Sequence, residues 1–318
     1  MIEVKNLVKK FGEAIAVNDI TFTVNSGEVV GFLGPNGAGK STTMKILTCF
    51  ISATSGNASV GGYDCFRQSL EVRRQIGYLP EQTPLYTDMN VIDYLNFIAD
   101  SHRMPAALKR ERIQEMVEIC GLTRMIHKDI GELSKGYRQR VGLAQALVHN
   151  PKIMILDEPT TGLDPNQIVE IRELIKTLGK DRVVILSTHI LPEVEVTCSR
   201  ILIISNGKLV GEGTPDELRR QMQGEEVYDV RIKADGKAVD SVFRSQDWII
   251  RSTSQGTEPS GTMRFRLHLK SPMTGEDSGE KIFDLATTNK WKLLELKRSG
   301  ATLEEVFKNL TTRETGIN

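Results

Sequence analysis

The chain has no surplus of charge of either sign: 41 lysines and arginines stand against 41 aspartates and glutamates in 318 residues. Such a balance offers no electrostatic footprint for nucleic acid, and no nucleic-acid partner is expected. Cysteine is scarce, and Cys49, Cys65, Cys120 and Cys198 are scattered without C-x-x-C spacing. That argues against a zinc site or a disulfide framework and for reduced thiols in a reducing compartment. Long apolar runs are missing: no window reaches the roughly 18 to 20 continuous apolar residues of a membrane span, and Met1-Ile2-Glu3-Val4-Lys5 opens no signal segment. The chain is therefore expected not to cross a bilayer by itself. Its 39% hydrophobic content still suffices for a core, in one large domain or two modest ones.

Against these absences stands one dense motif, Gly34-Pro35-Asn36-Gly37-Ala38-Gly39-Lys40-Ser41-Thr42, a full match to G-x-x-x-x-G-K-[ST]. The apolar run before it, Val29 to Leu33, reads as a buried strand, and Met44 to Leu47 after it reads as helix. Strand, glycine loop and helix together present backbone N–H groups and a positive dipole end to phosphate oxygens. Lys40 is then expected on the β- and γ-phosphates and the Ser41 hydroxyl on Mg²⁺. An ordinary glycine-rich turn would not need this context.

Other candidates are read by their distance from that loop. Lys152 to Leu156 is an apolar strand ending in Asp157-Glu158. A parallel strand beside the phosphate-loop strand would end at the same sheet edge, delivering Asp157 toward Mg²⁺ and Glu158 toward water. Arg182 to Ser187 is a further buried strand, with Thr188-His189 at its carboxyl end, where His189 can meet a γ-phosphate. Phe11 stands just ahead of a turn at Gly12, where a ring can stack on a base or simply pack in the core. Ser134 and Gly136 open a helix, as a plain N-cap or as a second phosphate-recognising terminus.

Helical periodicity between about 85 and 150 predicts a helical subdomain inserted into an α/β core. The hairpin signal Asn206-Gly207 follows further on. Residue 224 is taken as a domain boundary, giving domains 1–223 and 224–318. Alternation in Tyr228 to Ile232 and Met263 to Leu269, with helices near 237–244 and 280–289 and strands at 248–250 and 291–297, predicts a small βαββαβ ferredoxin-like module. Polar stretches 252–261 and 271–279 read as loops. A last helix is expected from Thr302, with Glu305 completing a capping box.

Taken in order, these motifs closely resemble the nucleotide-binding subunits of ABC transporters over roughly residues 1–220. The resemblance implies an α/β P-loop NTPase core that binds ATP and Mg²⁺ and hydrolyses ATP. It places Phe11 at the adenine, residues 34–42 in the Walker A loop, 133–137 in the signature, and Asp157 and Glu158 in Walker B and the catalytic base. Leu163-Asp164 matches the D-loop, and His189 the switch histidine. Either Glu81 or Gln82 takes the Q-loop role of sensing Mg²⁺ and the membrane partner, and the surface from Glu81 through Tyr94 becomes the docking groove. The resemblance further implies a head-to-tail homodimer in which each ATP lies between one copy's Walker A loop and the other's Ser134 and Gly136. The partners are then integral membrane permease subunits, and the location is cytoplasmic, peripheral on the inner face of the membrane. Lys135 and Tyr137 depart from the usual Leu-Ser-Gly-Gly-Gln signature. With Tyr78-Leu79-Pro80-Glu81 they resemble the ABC-2-type export branch, nearest to the gliding-motility-associated transporters. The alternative is a soluble ABC ATPase acting on ribosomes or DNA, but one Walker A loop and a short span to the signature fit those classes poorly. A GTPase would require N-K-x-D where the chain has Asn289-Lys290-Trp291-Lys292.

Overall fold

The computed structural model describes residues 1–220, 225–234, 236–258, 261–270, 277–299 and 302–313. They fall into two compact units, Met1–Pro215 with residues 310–313, and Asp216–Asn309. The division comes at Pro215, at the start of a helix, whereas the expected boundary at 224 lies outside the described residues.

The first unit opens with β1 (Ile2–Phe11), β2 (Ala14–Val24), β3 (Val29–Leu33), α1 (Lys40–Leu47), β4 (Ser55–Val60), β5 (Tyr63–Asp64), α2 (Ser69–Gln75) and β6 (Ile76–Leu79). Helices α3 (Val91–Ser101), α4 (Ala106–Ile119) and α5 (Lys135–Leu147) come next, with a single 3₁₀ turn at Ile130–Glu132. The chain then returns through β7 (Ile153–Asp157), α6 (Pro165–Gly179), β8 (Val183–Thr188), α7 (Leu191–Thr197), β9 (Arg200–Ser205) and β10 (Lys208–Gly213), and α8 (Pro215–Arg220) begins at the division and from Asp216 belongs to the second unit. The inserted helices thus lie between β6 and β7, inside the expected 85–150 window.

Two sheets build this unit. An antiparallel sheet runs β2-β1-β4-β5, and a six-stranded sheet runs β10-β9-β3-β8-β7-β6, parallel except for the β9–β10 hairpin. That hairpin turns at Asn206 and Gly207, both with positive φ, as an Asn-Gly turn should. Every residue of β3, β7 and β8 is buried, because a parallel sheet is covered on both faces and its strands read as unbroken apolar runs. Phe32 and Leu33 on β3, fully buried, each contribute roughly 1.5–3 kcal/mol by leaving water.

The expectation that the Asp157 strand lies beside the phosphate-loop strand needs correction: β8 runs between β3 and β7. Register shows why the geometry survives. Leu33 pairs with Thr188 and Asp157 with Ser187, so three strands end level at one edge.

In the helical subdomain, Asn90 caps α3 by accepting from the Asp93 N–H, and Gly121, at φ 66°, follows the end of α4. Buried Arg112 of α4 donates to the carbonyls of Leu147 (2.9 Å) and Val148 (3.3 Å), placing a cation on the unsatisfied C-terminal carbonyls of α5.

After α8 the second unit comprises β11 (Glu225–Lys233), α9 (Gly236–Ser245), β12 (Ile249–Thr257), β13 (Thr262–Lys270), α10 (Ser278–Thr288), β14 (Lys292–Ser299) and α11 (Leu303–Arg313) as far as Asn309. Its sheet order is β12-β13-β11-β14 with every neighbouring pair antiparallel, the ferredoxin-like arrangement of a βαββαβ chain. Val230, Ile232, Phe243, Phe265 and Leu267 fill its core. One expectation fails here. Residues 252–257 are strand, not loop: β12 is an edge strand with an exposed face, so its polar residues satisfy a ladder without needing apolar neighbours. The remainder of the other expected loop, 271–276, lies outside the described residues. The capping box at Thr302 forms, its Oγ1 accepting from the Glu305 N–H (3.3 Å) while Glu305 accepts from the Thr302 N–H (3.0 Å).

Candidate functional site

The loop 34–39 leaves β3 at the strand edge and enters α1 at Lys40. Glycine is required at two points of close approach: a Cβ on Gly34 would lie 2.4 Å from the Ile204 carbonyl oxygen. On Gly39, at φ 109°, it would lie 2.4 Å from the Ala16 oxygen. The loop is consequently a cradle of bare backbone, with the free N–H groups of the first turn of α1 beneath it.

Lys40 is buried at this spot. Its Nζ donates to the Gly34 carbonyl (2.8 Å) and the Pro35 carbonyl (3.2 Å), and lies 3.5 Å from Glu158 Oε1. Ser41 Oγ donates to Asp157 Oδ1 at 3.1 Å, and Ser187 Oγ donates to the same oxygen at 2.5 Å. Burial holds the Asp157 carboxyl above its ordinary range, opposed by the hydrogen bonds from Ser187 and Ser41. Glu158 adopts φ 50°, a left-handed conformation uncommon for a side chain of its size, and its N–H donates to the carbonyl and hydroxyl oxygens of Ser187. Its carboxylate oxygens lie 3.1 and 2.9 Å from His189 Nδ1, which must therefore carry the hydrogen. Thr161 Oγ1 donates to Glu158 as well, at 3.2 Å.

Lys40, Ser41, Asp157, Glu158 and His189 thus meet at one sheet edge. Glu81 and Gln82 line a cavity of about 600 Å³ together with Ser41, Lys45, Tyr78 and Asp157. Phe11 is exposed at the end of β1, with Lys9 Nζ 4.9 Å from its ring centroid. Asp164 caps α6, its carboxylate accepting from the Gln167 N–H at 3.0 Å. Ser134 and Gly136 are not bonded into the cluster. Ser134 caps α5 by accepting from the Tyr137 N–H, and Gly136 lies against Gln167; neither takes part in the bonds that join Lys40, Asp157, Glu158 and His189.

Sequence reasoning passed over two residues. Ser187 holds both carboxylate segments, and only the β7–β8 register reveals it. Glu193, buried in the first turn of α7, accepts from Thr160 (2.7 Å) and Thr188 (3.1 Å), tying the turn after Glu158 to the residue before His189. Its sequence signal, an acid four residues beyond His189, is indistinguishable from a helix N-terminal acid.

The donors fit a nucleoside triphosphate with Mg²⁺. A backbone cradle and a buried ammonium suit phosphate oxygens, and the Ser41 hydroxyl beside the Asp157 carboxylate is a hard-oxygen pair. Among the described residues no cluster of three His, Cys, Asp or Glu could hold a metal. Mg²⁺ needs no such cluster, since it takes one or two protein ligands and fills its shell with phosphate and water.

Comparison with known proteins agrees with this chemistry. The family model described as "ABC transporter" matches residues 17–161, and one described as "AAA domain, putative AbiEii toxin, Type IV TA system" matches 129–196. The linearmycin resistance ATP-binding protein LnrL of Bacillus subtilis (strain 168) is 31% identical over 317 residues, covering 98% of this chain and 99% of that protein. The bacitracin transport ATP-binding protein BcrA of Bacillus licheniformis is 33% identical over 312 residues, covering 98% and 97%. Among solved structures, the dimeric post-hydrolysis state of the ATP-binding cassette MJ0796 bound to ADP and Pi matches with TM-score 0.62 and 28% identity, over 67% of this chain and 98% of that one. With a near full-length relative above 30% identity and the phosphate-loop site assembled, the chain belongs to the ATP-binding subunits of ABC transporters, an ATPase with the P-loop NTPase fold of that family.

Proposed function

We propose that this ATPase powers an export system of the ABC-2 type, two copies closing head to tail on ATP and driving separate integral membrane permease subunits from the cytoplasmic face. The observation that carries the catalytic part is the convergence of Lys40, Ser41, Asp157, Glu158 and His189 at the ends of β3, β7 and β8. Export is supported by the names of full-length relatives, which include bacitracin transport and Nod factor export. The variant signature Leu133 to Arg140 supports the ABC-2 branch, and gliding motility rests on that likeness alone. Among the described residues no helix is long and apolar enough to cross a membrane, and the proposal assigns the pathway to other subunits.

In the proposed cycle Lys40 exchanges the Gly34 and Pro35 carbonyls for β- and γ-phosphate oxygens, and Phe11 offers its exposed ring to the adenine. Ser41 and Asp157, with Glu81 or Gln82 nearby, would hold Mg²⁺, which would supply charge neutralisation at the same phosphates. Moving Lys40 toward phosphate leaves Glu158, still held by His189 and Thr161, to orient the attacking water. Ser134 and Gly136 of the second copy complete the phosphate contacts, and Asp164 lies at the seam. ATP at about 100 times its dissociation constant stabilises the closed state by about 2.7 kcal/mol per site. Two sites give about 5.4 kcal/mol, close to the ~5.5 kcal/mol that carries a two-state equilibrium from 1:99 to 99:1.

The test is affinity purification of the tagged Glu158→Gln protein, held in ATP, from detergent-solubilised native membranes. A stoichiometric multi-span membrane protein supports the proposal and identifies the system served, gliding motility included. Recovery with ribosomes or DNA alone overturns it.

A further inference from the structure

Glu193 is a buried acid for which the proposed cycle has no use. It sits in the first turn of α7 and is 4% exposed. Its Oε2 accepts from Thr160 Oγ1 at 2.7 Å and from Thr188 Oγ1 at 3.1 Å, while Oε1 has no hydrogen-bond donor among the described residues. Taking a carboxyl group out of water is costly, and what meets it here is two neutral hydroxyls rather than a cation. A helix start that needed only packing would be served better by an apolar side chain. The reason for an acid lies in what its two donors carry.

Those donors belong to the two segments that meet at the site. Thr160 lies two residues beyond Glu158, whose left-handed backbone, at φ 50°, persists only where its surroundings fix it. Thr188 immediately precedes His189, and its hydroxyl oxygen also accepts from the Ile190 N–H at 3.0 Å, so one hydroxyl ties down both neighbours of His189. A single carboxylate oxygen thus sets the spacing between the turn after Glu158 and the backbone that carries His189. On that spacing depends the approach of His189 Nδ1 to the Glu158 oxygens, at 2.9 and 3.1 Å. Gln139 of α5 holds the same turn separately, its Nε2 donating to the Pro159 carbonyl at 2.9 Å. A change at Glu193 therefore leaves the turn anchored and releases only its registration with His189.

We propose that Glu193 is a positioning residue for ATP hydrolysis, aligning Glu158 with His189 by holding Thr160 and Thr188 on one oxygen. The proposal rests on the assignment of Glu158 to the attacking water. The role asks for an acceptor at that point, so glutamine should serve and alanine should not. Alignment of Glu158 matters to the water and not to the phosphate cradle, so its loss should appear in kcat and not in ATP affinity.

Full-length protein carrying Glu193→Ala, Glu193→Gln, Thr160→Val or Thr188→Val is compared with the native chain by steady-state hydrolysis, equilibrium ATP binding and the ring ¹⁵N–¹H spectrum without nucleotide. Glu193→Ala should lower kcat about 10- to 100-fold, the scale of a misplacement near ~1 Å, with ATP affinity within about twofold of native. Glu193→Gln should keep kcat within about threefold of native. The valine variants leave Glu193 in place and remove one hydroxyl each, so they should lower kcat in the same direction even where the alanine variant folds poorly. In the native spectrum His189, identified by its absence from His189→Gln, should show the Nδ1–H tautomer. In Glu193→Ala it should move toward Nε2–H while the other four histidines keep their signals, a change that loss of packing alone would not produce. Native kcat in Glu193→Ala and in both valine variants overturns the proposal, as does an unmoved His189 signal. So does a fall in ATP-binding capacity that matches the fall in rate, because that is loss of folded protein. Rapid turnover of Glu158→Gln would instead remove the assignment beneath it, whereas slow turnover there beside native turnover in Glu193→Ala overturns the positioning role alone.

Discussion

Asp157 and Glu158 are adjacent carboxylates in different circumstances, and their variants should behave differently. Asp157 is buried with its carboxyl raised, so the folded protein keeps that proton to higher pH than the unfolded chain does. Its contribution to stability is therefore greatest below the ordinary aspartate range and is lost as pH rises through the raised folded value. Asp157→Asn keeps an oxygen to accept from Ser41 and Ser187 while removing the buried charge. Thermal unfolding of the nucleotide-free variant at neutral pH should show stabilisation of about 0.5–2 kcal/mol, alongside loss of Mg²⁺-dependent turnover; an unchanged or lower Tm contradicts this account of the site. Glu158→Gln instead should leave ATP affinity intact and lower kcat by about 10²- to 10⁴-fold. Steady-state hydrolysis beside equilibrium nucleotide binding checks it, and rapid turnover would remove Glu158 from its assigned role. At this scale the readable residues were those whose chemistry is unusual for their local context: a lysine after glycines, or two acids ending an apolar strand. Ser187 and Glu193 escaped because a serine inside a strand and an acid opening a helix look ordinary until strand register brings Ser187 level with Asp157.

Between elements, the helical subdomain joins the core at a pair of stacked histidines. His102, just past α3, and His149, just past α5, lie with ring centroids 3.9 Å apart and an interplanar angle of 7°. His149 Nε2 is 3.0 Å from the Ile76 carbonyl. Burial first, then His102 and Arg112, lower His149 to about 4 from an ordinary 6.5. A base depressed in the folded state binds its proton more readily when unfolded, so the stability it confers is present at pH 7 and lost as pH falls from about 6.5 to about 4. Over that span the loss approaches about 3 kcal/mol. Urea unfolding at pH 7 and pH 4.5 should show the drop in the native protein and a smaller one in His149→Gln; equal drops would place the acid sensitivity elsewhere. Neither histidine was legible as one of a pair, since 47 positions separate them and only helix packing closes that distance. β12 teaches the converse: local polarity suggested a loop, yet pairing with β13 made it strand, because an edge strand answers to its neighbour's hydrogen bonds more than to its own hydropathy.

For the molecule as a whole, the proposed second copy would supply Ser134 and Gly136, which take no part in the bonds of the Lys40 cluster. Glu158→Gln protein should sediment as a monomer without nucleotide and as a dimer in ATP and Mg²⁺, with Ser134→Arg blocking the shift; a monomer at saturating ATP would overturn the head-to-tail arrangement. The sequence by itself determined the phosphate loop, the acidic strand end, the inserted helices and the βαββαβ order of the second unit. Each of these is written within a few consecutive residues as period, turn chemistry or spacing. Only the tertiary structure decided that β8 separates β3 from β7, that Ser187 and Glu193 brace the carboxylate and histidine segments, and that His102 stacks on His149. Those facts depend on which strands and helices become neighbours, and that choice is made by burial and backbone pairing summed over the whole chain rather than by any one stretch of it.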